Sequence, residues 1–135
     1  MNYLEQTLSI IKPDAVERNL ETEIKKMFLD KGFKIINEKK IKIEKSEAEK
    51  FYKVHETKPF YNDLCAYLSS GPIVVMILEK ENAVLANREL MGATDPKDAK
   101  DETIRKKYGI SIDKNSVHGS DSLENAKVEI DFFFN

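Results

Sequence analysis

Six consecutive apolar residues, Ile73-Val74-Val75-Met76-Ile77-Leu78, form the longest apolar run in this 135-residue sequence. The run does not alternate with polar residues, which is typical of a strand that is covered on both faces. It is far shorter than the roughly 20 residues that a membrane-spanning helix needs. Residues 73–78 are therefore predicted to form a central strand, and the remaining elements are placed around it.

The segments before this run predict a strand, a helix and a second strand. Residues 7–12 are strand-like and stop at Pro13. A helix is expected to begin after Asn19, which is a favourable N-cap residue, and to end at Gly32. Isoleucines alternate with lysines towards the end of 33–43, which predicts the second strand.

Further helices are expected on both sides of the central run. Ser46 and Glu49 form a capping-box pattern at the start of one helix, and another helical piece begins near Pro59. After the run, a helix is predicted from Asn82 to Gly92.

The last third of the sequence predicts a long loop, a short strand and a terminal helix. Residues 93–114 are polar and irregular, with about one helical turn near 103–107, and 115–118 form the strand that leads into a helix from Ser122. The strand and helix order is βαββαβ with extra helices, the long loop and a C-terminal helix. This order predicts an α+β, ferredoxin-like fold with a four-stranded antiparallel sheet, helices mainly on one face, and a single domain over 1–135.

Composition excludes several classes of protein. The formal net charge of −2 argues against a protein that coats nucleic acid, and no obligatory nucleic-acid partner is expected. One cysteine, Cys65, excludes an internal disulfide and any CxxC site, and is expected to be a buried thiol. The first five residues lack the pattern of a signal peptide, so the protein is expected to be cytoplasmic, without a membrane partner.

Two histidines are candidates for chemistry, because the sequence contains no glycine-rich phosphate loop. His118 lies at a strand end just before a helix, where backbone N–H groups favour anions. Glu129 follows eleven residues later, and a helix that doubles back would bring its carboxylate beside the imidazole. Glu129 could equally be a solvated helix residue, and His55 is read as structural or merely exposed.

The segment Asn115-Ser116-Val117-His118-Gly119-Ser120-Asp121 resembles the active-site signature Asn-x-x-His-Gly-Ser-Asp of the nucleoside diphosphate kinase family. The resemblance extends in the family's order over nearly the whole chain, through residues 8–16, 58–61, 70–75, 81–84, 92–96 and 103–105. It implies an enzyme that moves the γ-phosphate of a nucleoside triphosphate to a nucleoside diphosphate.

The resemblance also implies a catalytic group of residues. His118 would be phosphorylated in a ping-pong reaction, with Glu129 as its hydrogen-bond partner. Ser120 would support the same cluster, Tyr52 would lie near the histidine, and Lys12 would contact both phosphates and sugar.

For the nucleotide, the resemblance implies contacts to each of its parts. Asn115 would join Lys12 at the sugar hydroxyls, and Phe60 would stack on the base with Ile112 on its other side. The phosphates would be held by Arg88, Thr94 and Arg105. Mg²⁺ would be the cofactor, held mainly by the nucleotide phosphates and not by a protein metal site. The expected partners are nucleoside di- and triphosphates and further copies of the chain, with a hexamer favoured and a tetramer possible.

Less specific interpretations remain for these residues. Lys12 could be a strand-end lysine, Arg88 an ordinary helix arginine, and Phe60 part of the core. For the whole protein, one alternative is a binding or regulatory homologue without catalysis, against which the intact His118 and Glu129 speak. Another is a ferredoxin-like RNA-binding module, which the missing alternation of aromatic residues on a central strand disfavours.

Overall fold

Among residues 4–134, which the computed structural model describes, four strands pair into an antiparallel sheet in the order β2-β3-β1-β4. Residues 1–3, on which part of the signal-peptide expectation fell, and Asn135 lie outside the described range. The elements are β1 (Leu4–Ile11), α1 (Pro13–Glu17), α2 (Glu21–Asp30), β2 (Lys34–Ile41), α3 (Lys45–Phe51), α4 (Tyr61–Leu68), β3 (Ile73–Glu81), α5 (Ala83–Met91), α6 (Ile104–Tyr108), β4 (Val117–Gly119) and α7 (Leu123–Phe134), with 3-10 turns at Lys53–His55 and Pro96–Asp98.

The apolar run forms the buried part of β3, as predicted. All six side chains of 73–78 are buried, and β3 lies between β1 and β2 in the sheet. Val74 and Met76 belong to one apolar cluster, while Ile73 and Val75 belong to the cluster on the opposite face. The lack of alternation in the sequence therefore reflects a strand that packs against helices on both faces.

The strand and helix order confirms the ferredoxin-like prediction, but the expectation of helices mainly on one face is wrong. The first cluster contains buried residues of α1, α2, α5 and α6, and the second contains buried residues of α3, α4 and α7. The two helices of the βαββαβ unit, α2 and α5, do lie on the same face. The additional helices cover the other face, because the apolar side chains that β1 and β3 present there must also be buried.

Asn19 is not the N-cap that the sequence predicted. Its φ angle is +59°, in the left-handed region that Asn tolerates better than most residues, and its N–H donates to the carbonyl of Val16 at 3.0 Å. It therefore closes the short helix α1, which the sequence did not predict, and α2 starts after Leu20. Pro13 ends β1 as expected and also opens α1, where its missing N–H is not needed.

The capping box of α3 lies two residues earlier than predicted. The N–H of Glu44 donates to Oε1 of Glu47 at 3.1 Å, and α3 begins at Lys45. A glutamate thus takes the N-cap position that was expected for Ser46. The predictions for α5, with Asn82 before it and Gly92 after it, are confirmed.

Two expectations about burial can be compared directly with the structure. Cys65 is fully buried in the second cluster, as predicted. None of the helices within residues 4–134 combines the length and the apolar character that crossing a bilayer requires.

The short strand β4 begins two residues later than predicted, at Val117, because Ser116 has a φ angle of +76° and breaks the extended backbone. β4 pairs with β1 so that His118 lies opposite Ile10 and Gly119 lies opposite Ser9. Side chains alternate along a strand, so His118 and Gly119 face opposite sides of the sheet. His118 faces the second cluster, and Gly119 faces α5.

Gly119 packs against α5 so closely that a side chain cannot be added there without movement. A Cβ atom at this position would overlap Asn87 Nδ2 and would lie 2.8 Å from Met91 Cε, and both side chains are buried. The missing side chain therefore lets α5 approach the strand that carries His118.

We expect Gly119→Ala to lower the free energy of unfolding by about 1–3 kcal/mol, the usual cost of overpacking a filled site. Gly71→Ala is the matched control, because its added Cβ would meet Pro13 Cβ at an ordinary 3.7 Å. Urea denaturation of both variants would give the comparison. Equal stability of the two would show that α5 can move away from β4 at little cost.

Candidate functional site

A hydrogen-bonded group of three side chains connects the end of β4 to α7. His118 Nε2 and Glu129 Oε1 are 2.9 Å apart, and Ser120 Oγ donates to the same carboxylate oxygen at 3.0 Å. Ser120 is fully buried, and its Oγ accepts the N–H of Leu8 at 3.3 Å. The α7 helix doubles back along β4, as the eleven-residue spacing predicted.

The geometry determines which nitrogen of His118 is available for chemistry. A carboxylate can only accept hydrogen bonds, so Nε2 must carry the hydrogen that Glu129 receives. The neutral imidazole then has its lone pair on Nδ1. His118 is about one-fifth exposed, which leaves the ring accessible to a small ligand while its other nitrogen is engaged.

Two aromatic rings pack around the imidazole. The ring centroid of Phe51 lies 5.3 Å from that of His118, and the centroid of Tyr52 lies 6.3 Å away, both with edge-to-face geometry. Burial, together with the negative charge of Glu129, raises the pKa of Tyr52 above its ordinary value, so the phenol stays protonated. Tyr52 lies near the histidine as the family resemblance implied. Phe51 is an apolar residue at the end of α3, and nothing in the sequence pattern distinguishes it from a core residue.

Lys12 extends from the end of β1 towards the segment before β4. Its Nζ donates to Asn115 Oδ1 at 3.0 Å, and Asn115 Nδ2 donates to the carbonyl of Thr94 at 3.0 Å. Lys12 and Asn115 are both buried, whereas Thr94 is exposed. Burial lowers the pKa of Lys12 to about 8, the positive charge of Arg105 contributes to the same shift, and the carboxylates of Asp14 and Asp113 oppose it.

Arg105 lies between α5 and β4 and has a structural role that the sequence did not predict. Its Nη1 donates to the carbonyl of Gly92 at 2.9 Å and its Nη2 to the carbonyl of Val117 at 3.0 Å. The buried Nε atom has no hydrogen-bond partner among residues 4–134. Burial, and after it the nearby charge of Arg88, lowers the pKa of Arg105 to about 10. Arg88 is exposed, and because its charge acts on Arg105, the two guanidinium groups form one positively charged region.

Phe60 and Ile112, the two apolar residues expected to enclose a base, lie in different surroundings. Phe60 is half exposed, and its ring centroid is 5.9 Å from that of His55. Ile112 is also half exposed and lines a cavity of about 660 Å³ with residues of the loop around Asp95 and Ile110, to which Phe60 does not contribute. Both side chains are available for contact, but their pairing remains a prediction.

Among residues 4–134, carboxylates do not cluster into a site that could hold a metal ion by itself. Within the described range, no three or more His, Cys, Asp or Glu side chains are grouped closely enough to hold one. The positively charged groups, Lys12, Arg88 and Arg105, fit a polyanion better than a cation.

Comparison with known proteins identifies relatives over nearly the whole chain. The family model described as nucleoside diphosphate kinase matches residues 5–135. A nucleoside diphosphate kinase from a Nitratiruptor species is 60% identical over 131 residues, which cover 97% of this chain and 96% of the relative. A nucleoside diphosphate kinase from Geotalea uraniireducens is 56% identical over 97% of this chain and 96% of the relative. A crystal structure of the Aquifex aeolicus nucleoside diphosphate kinase has a TM-score of 0.96 and 39% identity, and covers 98% of this chain and 96% of that one.

We expect the Lys12 amine to titrate near pH 8, since burial and Arg105 both disfavour its charge. An NMR titration of ¹³Cε-labelled lysine would follow it, with the Lys12 signal assigned by its loss in Lys12→Gln. Lys26 is the internal control, because its hydrogen bond to Asp30 raises its pKa. At about pH 9 the Lys12 signal should be mostly that of the neutral amine while Lys26 stays charged. A Lys12 midpoint among those of the exposed lysines would contradict the burial argument.

Proposed function

The chain belongs to the nucleoside diphosphate kinase family, and from this premise we propose which of its residues carry the transfer of the γ-phosphate from a nucleoside triphosphate to a nucleoside diphosphate. The chain is an enzyme of the phosphotransferase class. One observation carries the proposal for the chemistry. His118 uses Nε2 to bind Glu129, so Nδ1 is left with a free lone pair at a partly exposed position.

The proposed reaction has two half-reactions through a phosphohistidine. In the first, the Nδ1 lone pair of His118 attacks the γ-phosphorus, the N–P bond forms, and the bond to the β–γ bridging oxygen breaks to release the diphosphate. In the second, a terminal oxygen of the acceptor diphosphate attacks the same phosphorus and the N–P bond breaks. Glu129 keeps the Nε2 hydrogen bond throughout and stabilises the positive charge on the phosphorylated ring.

Ser120 supports this pair indirectly. It donates to the oxygen of Glu129 that His118 also binds, while its backbone N–H and its Oγ both bind β1 at Leu8. The carboxylate is therefore fixed relative to the sheet and cannot rotate freely with α7. Tyr52 and Phe51 restrict the ring plane of His118 from the side, which keeps Nδ1 directed to one place.

The phosphates and the sugar would be bound by the positive and polar groups next to His118. Phosphoryl transfer depends mainly on alignment and on positive charge around the non-bridging oxygens. Lys12, Arg88 and Arg105 supply that charge, with Thr94 as a further phosphate contact. Lys12 and Asn115 are already joined by a hydrogen bond, so they present one combined surface to the sugar hydroxyls.

For the base, we propose contact with Phe60 on one face and Ile112 on the other. Both side chains are about half exposed, although they belong to residue types that are usually buried. Neither can donate or accept a hydrogen bond, and stacking on an aromatic ring tolerates any base. The enzyme is therefore expected to discriminate little among bases.

Enzymes of this family generally depend on Mg²⁺, and the donor set of this chain fits a metal that arrives with the nucleotide. Carboxylates within residues 4–134 do not form a group that could hold the ion alone, and Mg²⁺ commonly binds through substrate phosphates. When bound, the ion neutralises negative charge on the phosphate oxygens. Lys12, Arg88 and Arg105 would then hold the remaining charged oxygens.

The assembly and the location are further proposals. A homo-oligomer, with a hexamer favoured and a tetramer possible, is supported by the exposed apolar side chains of Leu29 on α2 and Ile36 on the edge strand β2. A cytoplasmic location without a membrane partner or an obligatory nucleic-acid partner agrees with the substrates and with the net charge of −2.

His118→Ala should abolish both half-reactions, because no other group replaces the Nδ1 nucleophile. His55→Ala is the control, since His55 contacts Tyr52 and Phe60 by its ring but does not bind Glu129. Incubation with γ-labelled ATP, followed by a test for acid-labile and alkali-stable label, would measure the first half-reaction. Label on His118→Ala at the wild-type level would refute the mechanism.

Glu129→Gln should slow transfer by about 10–100-fold, the range expected when a residue that orients a functional group is lost. The amide keeps the size of the side chain, but it carries no charge to stabilise the phosphorylated imidazole. Rapid-quench measurement of phospho-enzyme formation would separate this step from product release. Asn125→Ala, on the exposed side of α7, serves as the control. An unchanged rate in Glu129→Gln would reduce Glu129 to a structural residue.

A further inference from the structure

Asp14 has the most extensively bonded carboxylate among the described residues that the mechanism above leaves unused. One oxygen accepts the hydroxyl of Tyr67 on α4 in a short hydrogen bond, and Oδ2 accepts Ser116 Oγ at 3.2 Å and Arg18 Nη2 at 3.2 Å. The backbone N–H of Asp14 also donates to the Tyr67 hydroxyl at 2.8 Å. The carboxylate is almost completely buried, with 3% of the side chain exposed.

Ser116 connects this carboxylate to the proposed nucleotide contacts. It has a φ angle of +76°, which costs free energy for a residue with a side chain and persists only where its surroundings hold it. Its Oγ binds Asp14, and its carbonyl accepts the backbone N–H of Lys12 at 2.8 Å. The preceding residue, Asn115, binds the Lys12 ammonium group, and His118 follows two residues later.

Arg18 extends the same network to the long loop. Its Nη2 also donates to the carbonyl of Tyr108, at the end of α6, the helix that carries Arg105. Asp14 thus fixes α1, α4, the turn before β4 and the end of α6 relative to one another. Each of these elements carries or adjoins a residue proposed to contact the nucleotide.

We propose that Asp14 is a positioning residue for the transfer reaction, which holds the left-handed turn at Ser116 from which Asn115 reaches Lys12. This inference rests on the function proposed above for Lys12 and Asn115. Asp14 does not touch the nucleotide in this role. It acts through Ser116 and through its negative charge, which favours the charged form of Lys12.

The negative charge of Asp14 has a measurable effect on the titration of Lys12, which a change in packing alone would not produce. The charged groups that face Lys12 are Arg105 on α6, Asp14 on α1 and Asp113 in the loop before β4. Burial and Arg105 lower the pKa of Lys12, and the two aspartates raise it. Removal of the Asp14 charge should therefore move the titration of Lys12 to lower pH, and the alkaline limb of kcat/KM with it.

The test compares Asp14→Asn, Ser116→Ala and the double variant with wild type. Asp14→Asn should lower kcat/KM for phospho-enzyme discharge by about 10–100-fold and shift the ¹³Cε titration of Lys12 to lower pH. Ser116→Ala keeps the charge, so it should lower kcat/KM without moving that titration. Because Asp14 is proposed to act through Ser116, the double variant should be less impaired than the product of the single effects. Glu17→Gln, an exposed residue on the same helix, is the control.

Several outcomes decide the question. Wild-type kcat/KM with an unmoved Lys12 titration in a folded Asp14→Asn would overturn the inference. If Asp14→Asn does not fold, Ser116→Ala decides alone, and its wild-type kcat/KM would overturn the inference equally. Lys12→Gln in the same assays separates this failure from that of the proposed function. A fully active Lys12→Gln removes the proposed role of Lys12 and this inference with it, whereas an inactive Lys12→Gln beside a wild-type Asp14→Asn overturns the inference alone.

Discussion

The antiparallel pairing of β4 with β1 covers only three residue pairs, yet the location of the site depends on it. It places His118 opposite Ile10, and the next backbone hydrogen bond, from Lys12 to Ser116, continues the alignment past the end of the strand. His118, the proposed nucleophile, is thereby fixed next to the end of β1, where the buried Lys12 lies. A shift of one residue in this register would turn the His118 side chain to the face of α5. On that face, α5 packs so closely against Gly119 that a side chain does not fit without movement.

The main features of the fold were predictable because they follow from local patterns. The unbroken apolar run identified β3 as a central strand, and Pro13, Asn82 and Gly92 marked true boundaries. Two of the misplaced boundaries share a cause. At Asn19 and Ser116 a residue with a side chain adopts a left-handed conformation, and such a conformation depends on tertiary contacts that no local pattern reveals. Local patterns likewise did not predict that α3, α4 and α7 form one layer, because this arrangement follows from the need to bury the second face of the sheet.

The candidate site was predictable mainly through the family signature around His118, and not from chemistry alone. Spacing suggested the contact of Glu129 with His118 but could not distinguish it from a solvated glutamate. Phe51 and Asp14 were missed for different reasons. Phe51 has the helical spacing of a core residue and packs, partly buried, against the second cluster, and its contact with His118 depends on how α3 lies against the sheet. Asp14 lies inside a segment that resembles the family, but its partners are four, 53 and 102 residues away in sequence.

The site keeps its positive charge at a cost to the stability of the folded protein. The pKa of Lys12 falls from its ordinary 10.5 to about 8, and each pKa unit corresponds to about 1.4 kcal/mol. Between about pH 8 and pH 10.5, Lys12 of the unfolded chain keeps a proton that Lys12 of the folded chain has lost. The free energy of unfolding should therefore rise with pH in this window. At neutral pH the buried charge therefore opposes folding by roughly 3 kcal/mol.

The buried charge of Arg105 opposes folding in the same way, since burial and Arg88 both lower its pKa. A bound polyphosphate would offset the free-energy cost of both buried charges, because its negative oxygens favour the charged forms of Lys12 and Arg105. The unfavourable burial of like charges would thus become affinity for the phosphates of the proposed substrate, and Asp14 limits this destabilisation by holding one carboxylate close to Lys12.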